Sequence, residues 1–389
     1  MENKSLTKYC YPSSTTKEWL EHIAKSHFSA EELQVKRVEN AILMPDMAKV
    51  GAGFAGGVFL ENGEIVESSF QRFGLDTAQK LFELYDPKTA KKESKETVYL
   101  GQYRNQWGSF LVDSVSRLWF ALQEPEKYNY AFAATQASLG GIHKNAYNFF
   151  SRLGIKKEQI TLITEPTVFD SLIIPEMSLT PYGTRGNEPS WHKEYLETVH
   201  RVTDSVMAEN AGKEYPEKVY FSRGRFAKEQ KSDFGEELIA EMMKKNGYYI
   251  VYPEEHTLEE QIMFVNNCKE FASVGGSCAH NVIFSKTAPK MMLFNRMNGY
   301  QWHQWMLDEM AGVEPITYVD SYSEPYKFIF KTKIGGPYLF WINKQVKSFA
   351  KDNAFKLPER GVCAAKIFIR YSLRVAYTLA SRIKKRLLK

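Results

Sequence analysis

The sequence predicts an α/β protein with two Rossmann-type domains facing each other across a cleft, preceded by a β-rich segment and followed by a basic amphipathic helix. From residue 97, short β-type runs alternate with helix-length amphipathic stretches, and after about residue 212 this alternation begins again. The 389 residues, of which 43% are hydrophobic and 25% charged, fit two packed domains and exclude a largely disordered chain.

The first 96 residues are predicted to form an N-terminal extension. Up to about Arg37 the pattern favours short helical pieces, to which we assign no chemistry. Between Ala41 and Phe73, short apolar runs are separated by glycine, and Asn62-Gly63 lies between two β-prone runs. An Asn-Gly pair in that position predicts a β-hairpin. A lysine-rich linker is predicted around 88–95.

The first α/β block is predicted as an N-terminal Rossmann-like domain over 97–212, on the acceptor side of the cleft. Its last predicted strand ends at Pro175, because proline cannot donate to a strand ladder. We predict strands at 98–100, 130–134, 160–163 and 172–174, helices at 107–122, 142–153 and 191–210, and a loop at 181–189.

The second α/β block is predicted as a C-terminal Rossmann-like domain over 213–325, with a helical tail over 326–389. Thr257 and Glu260 form a capping-box pattern, which predicts that a helix begins there. We predict strands at 218–222, 248–252, 271–274, 290–294 and 316–319, and further helices at 233–246 and 279–284. Two such blocks imply a cleft between them in which a ligand binds.

A glycine turn in the second block has the pattern of a phosphate site. Gly275-Gly276-Ser277 lies between a strand and a helix, and Arg223 and Arg225 follow the first strand of the same block. Glycine permits close backbone approach, and arginine forms charge-assisted bonds to phosphate oxygens. Alternatively, the turn is an ordinary connection and the arginines are solvated. His280 and Asn281 after the turn could equally be a hydrogen-bonded core histidine and a helix-start residue.

The first-block helix supplies the candidates for catalysis. Asn105, Gln106 and Ser109 are polar residues at its start, which we expect to face the cleft. Asp113 is the one carboxylate in the helix and is therefore the candidate general base. The alternative for Asp113 is an ion pair with Arg117, four residues further on.

Four motifs occur in a fixed order along the chain: 105–118 (NQWGSFLVDSVSRL), 218–223 (KVYFSR), 257–261 (TLEEQ) and 273–284 (SVGGSCAHNVIF). Together they resemble bacterial glycosyltransferase family 61, often described as capsular polysaccharide biosynthesis proteins. The resemblance covers roughly residues 40–325. It implies a GT-B-like fold and inverting transfer from a nucleotide sugar, expected to be UDP-linked, with no obligatory metal or other cofactor.

The resemblance also implies roles for individual residues. Related sequences commonly have histidine where this chain has Gln106 and Ser109, so Asp113 is expected to replace the usual base, with Asn105 and Ser109 beside it. A basic residue expected downstream of Arg223 is represented by Arg225 or Lys231. The donor-side motifs contain Arg223, Gly275, Gly276, Ser277, His280 and Asn281. The missing histidines leave open a catalytically impaired scaffold or sugar-binding subunit.

The C-terminal tail is predicted to be a basic amphipathic helix on an anionic membrane. Residues 362–389 contain eight basic side chains and no acidic one. Basic positions 366, 370, 374, 382 and 386 lie opposite an apolar stripe of Phe368, Val375, Leu379 and Ile383. This fits a peripheral enzyme at the inner face of the plasma membrane with a glycan or lipid-linked acceptor. The alternative is a helix packed against the first domain.

The remaining composition bounds the compartment and the partners. The cysteines, at 10, 268, 278 and 363, have neither disulfide nor zinc spacing, which favours the cytoplasm. The first 20 residues lack the apolar core of a signal peptide, and no run is long enough to span a bilayer. Because the chain before the tail is slightly acidic, we expect no nucleic-acid partner.

Overall fold

A computed structural model describes residues 27–47, 56–70, 80–83, 85–86, 89–180, 189–225, 233–297, 302–313, 316–332, 336–359 and 361–387. The chain divides into two compact units, and the boundary lies between Ala211 and Gly212. We call the described residues before this boundary the N-terminal unit and those after it the C-terminal unit. The four predicted domain ranges stay a prediction.

The N-terminal unit contains ten described strands and three principal helices. The helix after β5 changes type along its length, and we treat its three consecutive pieces as α1. The strands are β1 (His27–Phe28), β2 (Val35–Met44), β3 (Gly57–Phe59), β4 (Lys91–Glu93), β5 (Thr97–Tyr103), β6 (Asn129–Ala134), β7 (Ile160–Ile163), β8 (Thr167–Pro175), β9 (Leu179–Thr180) and β10 (Ser190–Trp191). The helices are α1 (α-helical Trp107–Ser109, π-helical Phe110–Ser114 and 3-10 Val115–Leu122), α2 (Lys144–Arg152) and α3 (Lys193–Glu209).

The main sheet of this unit is mixed, in the order β3-β2-β8-β5-β6-β7, with β4 also paired to β8. Strands β8, β5, β6 and β7 are parallel, whereas β2 and β3 are antiparallel to their neighbours. The predicted strands of the first block are confirmed, and β8 is longer than expected. Every residue of β5 is buried, as is typical of a parallel strand covered on both faces.

Two interpretations of the N-terminal extension are wrong. The predicted helical pieces reach Arg37, but Val35 already begins β2, which pairs antiparallel with β8. The predicted lysine-rich linker contains β4, in which Lys91 pairs with Thr167 of β8. Both strands are fixed by a partner far along the chain, and exposed lysines are common on strands at a sheet edge. Residues 1–26 and 87–88 lie outside the described residues.

The predicted hairpin at Asn62-Gly63 is confirmed. Phe59 pairs antiparallel with Ile65, and the amide of Val66 donates to the carbonyl of Val58 at 2.9 Å. Gly63 has φ +84°, which is the left-handed conformation that an Asn-Gly turn requires.

The C-terminal unit contains seven described strands and five principal helices. The strands are β11 (Lys218–Phe221), β12 (Asp233–Phe234), β13 (Tyr249–Val251), β14 (Glu270–Val274), β15 (Lys290–Asn295), β16 (Ile316–Asp320) and β17 (Tyr338–Leu339). The helices are α4 (Glu236–Lys245), α5 (Leu258–Asn267), α6 (Trp302–Met310), α7 (Lys344–Asp352) and α8 (Gly361–Leu387). The capping box of Thr257 and Glu260 is present at the start of α5.

The main sheet of the C-terminal unit is wholly parallel, in the order β13-β11-β14-β15-β16. When the five strands of this sheet are numbered in chain order, the arrangement is the 2-1-3-4-5 order of doubly wound sheets. The strand order reverses between β11 and β14, which makes their carboxyl ends the switch point. The α/β class is therefore confirmed, and the topology indicates where a ligand would bind in this unit.

The predicted helix at 233–246 begins too early. Asp233 and Phe234 form β12, which pairs with β17, and α4 begins at Glu236. Gly235 between them has φ +82°, and an ideal Cβ there would lie 2.4 Å from the carbonyl oxygen of Phe340. Only glycine fits this close approach, so the chain changes from strand to helix at that residue.

The tail is helical as predicted, and the residues of the predicted apolar stripe differ in exposure, with Val375 buried and Phe368 38% exposed. The residues of α8 that are buried are Ile367, Tyr371 and Val375. The helix packs against β12 of its own unit, with the ring of Tyr371 5.9 Å from that of Phe234. Ile383, assigned to the same stripe as Val375, is 59% exposed. Among the described residues, no helix has the length and hydropathy needed to cross a membrane.

Candidate functional site

The first candidate site lies at the switch point of the C-terminal sheet. Arg223 follows β11, and Gly275-Gly276-Ser277 follows β14. These strands are direct neighbours, pairing from Lys218 with Glu270 to Phe221 with Ser273. Ligands of doubly wound sheets bind beyond the carboxyl ends of such strands. The structure therefore places these two predicted motifs at one edge of one sheet.

The glycine turn is fixed on β15, and Gly276 has a backbone conformation that residues with a side chain rarely adopt. The amide of Gly275 donates to the carbonyl of Phe294 at 2.9 Å. Gly276 has φ +143°, and an ideal Cβ there would lie 3.4 Å from Nη2 of Arg296. The amides of Ser277 and Cys278 donate to no main-chain carbonyl of the described residues, so the turn keeps donors for a ligand.

The helix after the turn contributes less than the sequence predicts. Residues Ala279–Phe284 form a six-residue 3-10 helix and not an α-helix. So short a helix aligns few peptide dipoles, and its positive end attracts an anion only weakly. The arginines must therefore supply most of the positive charge.

A second arginine at this edge was not predicted from the sequence. Nε of Arg223 lies 3.2 Å from Oδ2 of Asp233, and Nη1 of Arg296 lies 3.3 Å from Oδ1 of the same carboxylate. We call Arg223, Asp233 and Arg296 the arginine cluster. Arg296 directly follows β15. The polar pair Asn295-Arg296 at the end of an apolar run is the sequence feature from which this arginine could have been predicted.

The arginine cluster is electropositive and partly buried. The side chains of Arg223 and Arg296 are 18% and 14% exposed, and the Asp233 carboxylate is 4% exposed. Burial raises the pKa of the Cys278 thiol, and the guanidinium groups of Arg223 and Arg296 both act to lower it. Both arginines therefore lie close to Cys278, the residue after the glycine turn. Two cations share one carboxylate, so the cluster can bind a further anion by charge-assisted hydrogen bonds.

His280 and Asn281 lie beneath this edge and are hydrogen-bonded within the fold. Nδ1 of His280 lies 2.6 Å from Oε1 of Gln304, and Nδ2 of Asn281 donates to Oε1 of Gln261 at 2.8 Å. Both predicted residues are buried. Burial lowers the pKa of His280 to about 4, so its ring is neutral at pH 7 and adds no charge to the site.

Arg225 is bound to a different part of the edge. Nη1 of Arg225 donates to both carboxylate oxygens of Glu255, at 2.9 and 2.8 Å, and its guanidinium lies over the ring of Tyr252. The side chain is 58% exposed. The structure thus places Arg225 with the turn after β13 and not in the arginine cluster, while Lys231 lies outside the described residues.

A buried acid supports the strand that carries Arg223. Glu236 accepts hydrogen bonds from the hydroxyls of Tyr220 and Ser222 at 2.7 and 2.9 Å. An ideal Cβ at Gly224 would lie 2.9 Å from Oε2 of Glu236, so the loop passes directly over this carboxyl group. Burial raises the pKa of Glu236 from 4.5 to about 7.

We expect the stability of the protein to decrease as the pH rises from about 4.5 to 7, and Glu236→Gln to remove part of that decrease. The unfolded chain releases this proton near pH 4.5 and the folded chain near pH 7, so the stabilisation from the protonated acid is complete below 4.5 and lost above 7. The effect is roughly 3 kcal/mol. Buried Asp308, whose pKa is also raised to about 7, contributes in the same direction.

Urea unfolding at several pH values measures this effect. Glu241→Gln is the matched control, because Glu241 lies on the same helix with a side chain that is 44% exposed. It should keep the wild-type pH dependence. The same slope in wild type and Glu236→Gln would show that Glu236 is ionised in the folded protein.

The second candidate site lies at the carboxyl ends of β5 and β6 in the N-terminal unit. The amide of Asn105 donates to the carbonyl of Ala137, and the amide of His143 donates to the hydroxyl of Tyr103. The side-chain oxygens of Asn105 and Asn145 are buried and accept no hydrogen bond from the described residues. Two unsatisfied amide oxygens are suitable acceptors for the hydroxyl groups of a ligand.

Asp113 lies in the π-helical part of α1 and is only 3% exposed. Burial raises the pKa of Tyr195, and the nearby Asp113 carboxylate adds to the increase. Arg117, the alternative partner, donates to the carbonyl oxygens of Ser68 and Pro175 and lies over the ring of Tyr99. Single π-helical turns are frequent at functional sites. The sequence does not reveal this turn, so it is an indication that only the structure provides. Ser109 precedes this turn and is half-buried.

Across the described residues, no group of three or more His, Cys, Asp or Glu side chains has an arrangement that could hold a metal ion. Cys268 and Cys278 are buried free thiols.

A doubly wound sheet with a glycine turn and two arginines at its switch point has the geometry of α/β proteins that bind phosphorylated ligands. Residues 107–292 match the family model described as Glycosyltransferase 61. This match, over just under half of the chain, supports an assignment to glycosyltransferase family 61, a family of glycosyltransferases. All predicted site residues except Asn105 lie within the matched range, whereas Arg296 lies beyond it. Among curated proteins, the chain has no match.

Proposed function

We propose that this chain transfers a sugar, with inversion, from a UDP-linked nucleotide sugar to a glycan acceptor in bacterial surface or capsular polysaccharide synthesis. The observation that supports the donor assignment is the arginine cluster beside Gly276. A diphosphate carries the charge and the oxygen acceptors that two guanidinium groups and the turn amides would bind. The match to a glycosyltransferase family model supports a sugar as the transferred group.

In the proposed reaction, the hydroxyl oxygen of the acceptor attacks the anomeric carbon. The bond from that carbon to the phosphate oxygen breaks, and its electron pair leaves with the nucleotide diphosphate. Arg223, Arg296 and the turn amides stabilise the developing charge, while Asp113 accepts the hydroxyl proton. Because the two arginines supply positive charge at the leaving group, we propose a reaction that needs no metal ion.

We also propose a GT-B type of fold, supported by the parallel strands in each unit. We further propose that the acceptor is lipid-linked and that the protein acts at the inner face of the plasma membrane. The support is α8, whose charged residues are all basic.

UDP and UDP-sugars should raise the melting temperature of the protein. A ligand at a hundred times its Kd stabilises the folded state by about 2.7 kcal/mol, which a thermal-shift assay detects readily. GDP, CMP and inorganic phosphate serve as comparison ligands. A larger shift with GDP would retain the diphosphate site and change the nucleotide, whereas no shift with any of them would contradict the donor site.

A sugar-binding scaffold without activity is the second candidate, favoured by Gln106 and Ser109 at positions where related sequences have histidine. Slow hydrolysis of a UDP-sugar without acceptor distinguishes the two candidates. Release of UDP by wild type, and its loss in Arg296→Ala, would establish a catalyst. Binding of the same UDP-sugar without any release over long incubation would favour the scaffold.

A further inference from the structure

The C-terminal unit carries two sets of exposed apolar side chains outside its core, one on α8 and one in the loop between β16 and β17. On α8, the outward side chains of Ile369, Leu373 and Tyr377 recur every four residues and are 58–67% exposed. In the loop between β16 and β17, Phe328 is 90% exposed and Ile329 is 70% exposed. We call these five residues the apolar wedge. None of them belongs to the buried face of α8 formed by Ile367, Tyr371 and Val375.

The loop of the apolar wedge is held against α8 on both sides of its tip. Before the tip, the hydroxyl of Tyr326 lies 2.7 Å from Oγ of Ser372, and its ring stacks on Tyr371 with centroids 6.0 Å apart. After the tip, the guanidinium of Arg382 lies 4.9 Å from the centre of the Phe330 ring. Phe328 and Ile329 are therefore held beside the helix.

Basic side chains flank the apolar wedge. Nζ of Lys327 lies 5.1 Å from the centre of the Phe328 ring, and Nη1 of Arg370 lies 3.8 Å from Oε1 of Glu237. Further basic residues on α8 are Lys366, Arg374 and Lys384. Apolar side chains with lysine and arginine around them are typical of segments that lie in the interface of an anionic membrane.

We infer that the apolar wedge inserts into the headgroup region of an anionic bilayer and docks the C-terminal unit there through α8 and the 328–329 tip together. The inference rests on the proposed function, because a membrane location supplies the lipid-linked acceptor. An anionic bilayer neutralises the flanking basic residues. A second copy of this chain would instead bring two sets of cations together, which makes it the less favourable occupant.

Cosedimentation with vesicles tests this inference. Full-length protein is mixed with vesicles of phosphatidylcholine containing roughly one third phosphatidylglycerol, or with pure phosphatidylcholine vesicles. We expect wild type to bind the anionic vesicles and to dissociate as salt is raised. Phe328→Ser with Ile329→Ser, and separately Leu373→Ser with Tyr377→Ser, should each lower the partition coefficient by about tenfold or more.

Leu139→Ser is the matched control, because Leu139 is as exposed as Ile329 but lies in the N-terminal unit. It should bind vesicles as wild type does. Equal binding of all variants, or no binding of wild type to anionic vesicles, would overturn the inference. So would a wild-type dimer that the wedge substitutions convert to monomer without any vesicle binding.

The UDP-induced thermal shift of the wedge variants separates this inference from the proposed function. A normal shift in variants that no longer bind vesicles supports the wedge. Vesicle binding by a wild-type protein that shows no nucleotide shift would support the wedge and contradict the donor site.

Discussion

Arg296→Ala is expected to lower kcat/KM for sugar transfer by about 10²- to 10³-fold, and Arg223→Ala is expected to have an effect of the same size. Each change removes a charge-assisted donor from the developing charge on the leaving diphosphate. UDP should lose most of its stabilising effect on both variants in the thermal-shift assay. Arg296→Lys should recover part of the binding, because it keeps the charge but not the two-pronged geometry of the guanidinium group.

The shared carboxylate of Asp233 makes the two arginines interdependent. Residues in one ion-pair network show non-additive energies, so the double alanine variant should lose less than the sum of the single losses. Arg37→Ala is the control, because Arg37 forms an exposed ion pair with Glu96 in the N-terminal unit. Normal UDP shifts in both single variants, with unliganded melting temperatures equal to that of wild type, would contradict a diphosphate site at the arginine cluster.

The sequence was sufficient to predict part of this site. Arg223 and the glycine turn each follow a β-type run, and the carboxyl ends of parallel strands meet at one edge, so their proximity could be predicted without a structure. Arg296 follows β15 in the same way and could have been found by the same rule. For His280 the sequence left a core position as one of two interpretations, and it could not decide between them because the partner, Gln304, lies 24 residues away on another helix.

Prediction of the fold from the sequence has the same limit, because local patterns can be recognised but distant partners cannot. Runs such as 98–100 and 271–274 are apolar enough to predict strands locally. The run Val35–Met44 contains three charged residues, and it becomes a strand because β8, more than a hundred residues away, supplies its ladder. β4 contains two lysines and a glutamate and is fixed by the same partner. Local propensity cannot reveal such pairings, since tertiary context decides them.

Asp113→Asn is expected to lower kcat for transfer by about 10²- to 10⁴-fold while the UDP-induced thermal shift stays normal. Asparagine keeps the shape of the side chain and one of its hydrogen-bond acceptors, but it cannot accept the proton of the acceptor hydroxyl. Steady-state kinetics and the thermal-shift assay together separate this loss from a loss of donor binding. Near-normal turnover would exclude Asp113 as the base.

The burial of Asp113 makes a structural role the main competing explanation, and two further variants distinguish it. Asp113→Ala opens space in which added formate can accept the proton, so recovery of turnover with formate indicates a base. A structural role predicts instead that turnover falls together with the melting temperature and that formate has no effect. Ser109→His in the Asp113→Asn background gives a second test, since residue 109 lies one helical turn away where related sequences have histidine. If Asp113 replaces that histidine, the added imidazole should restore part of the transfer.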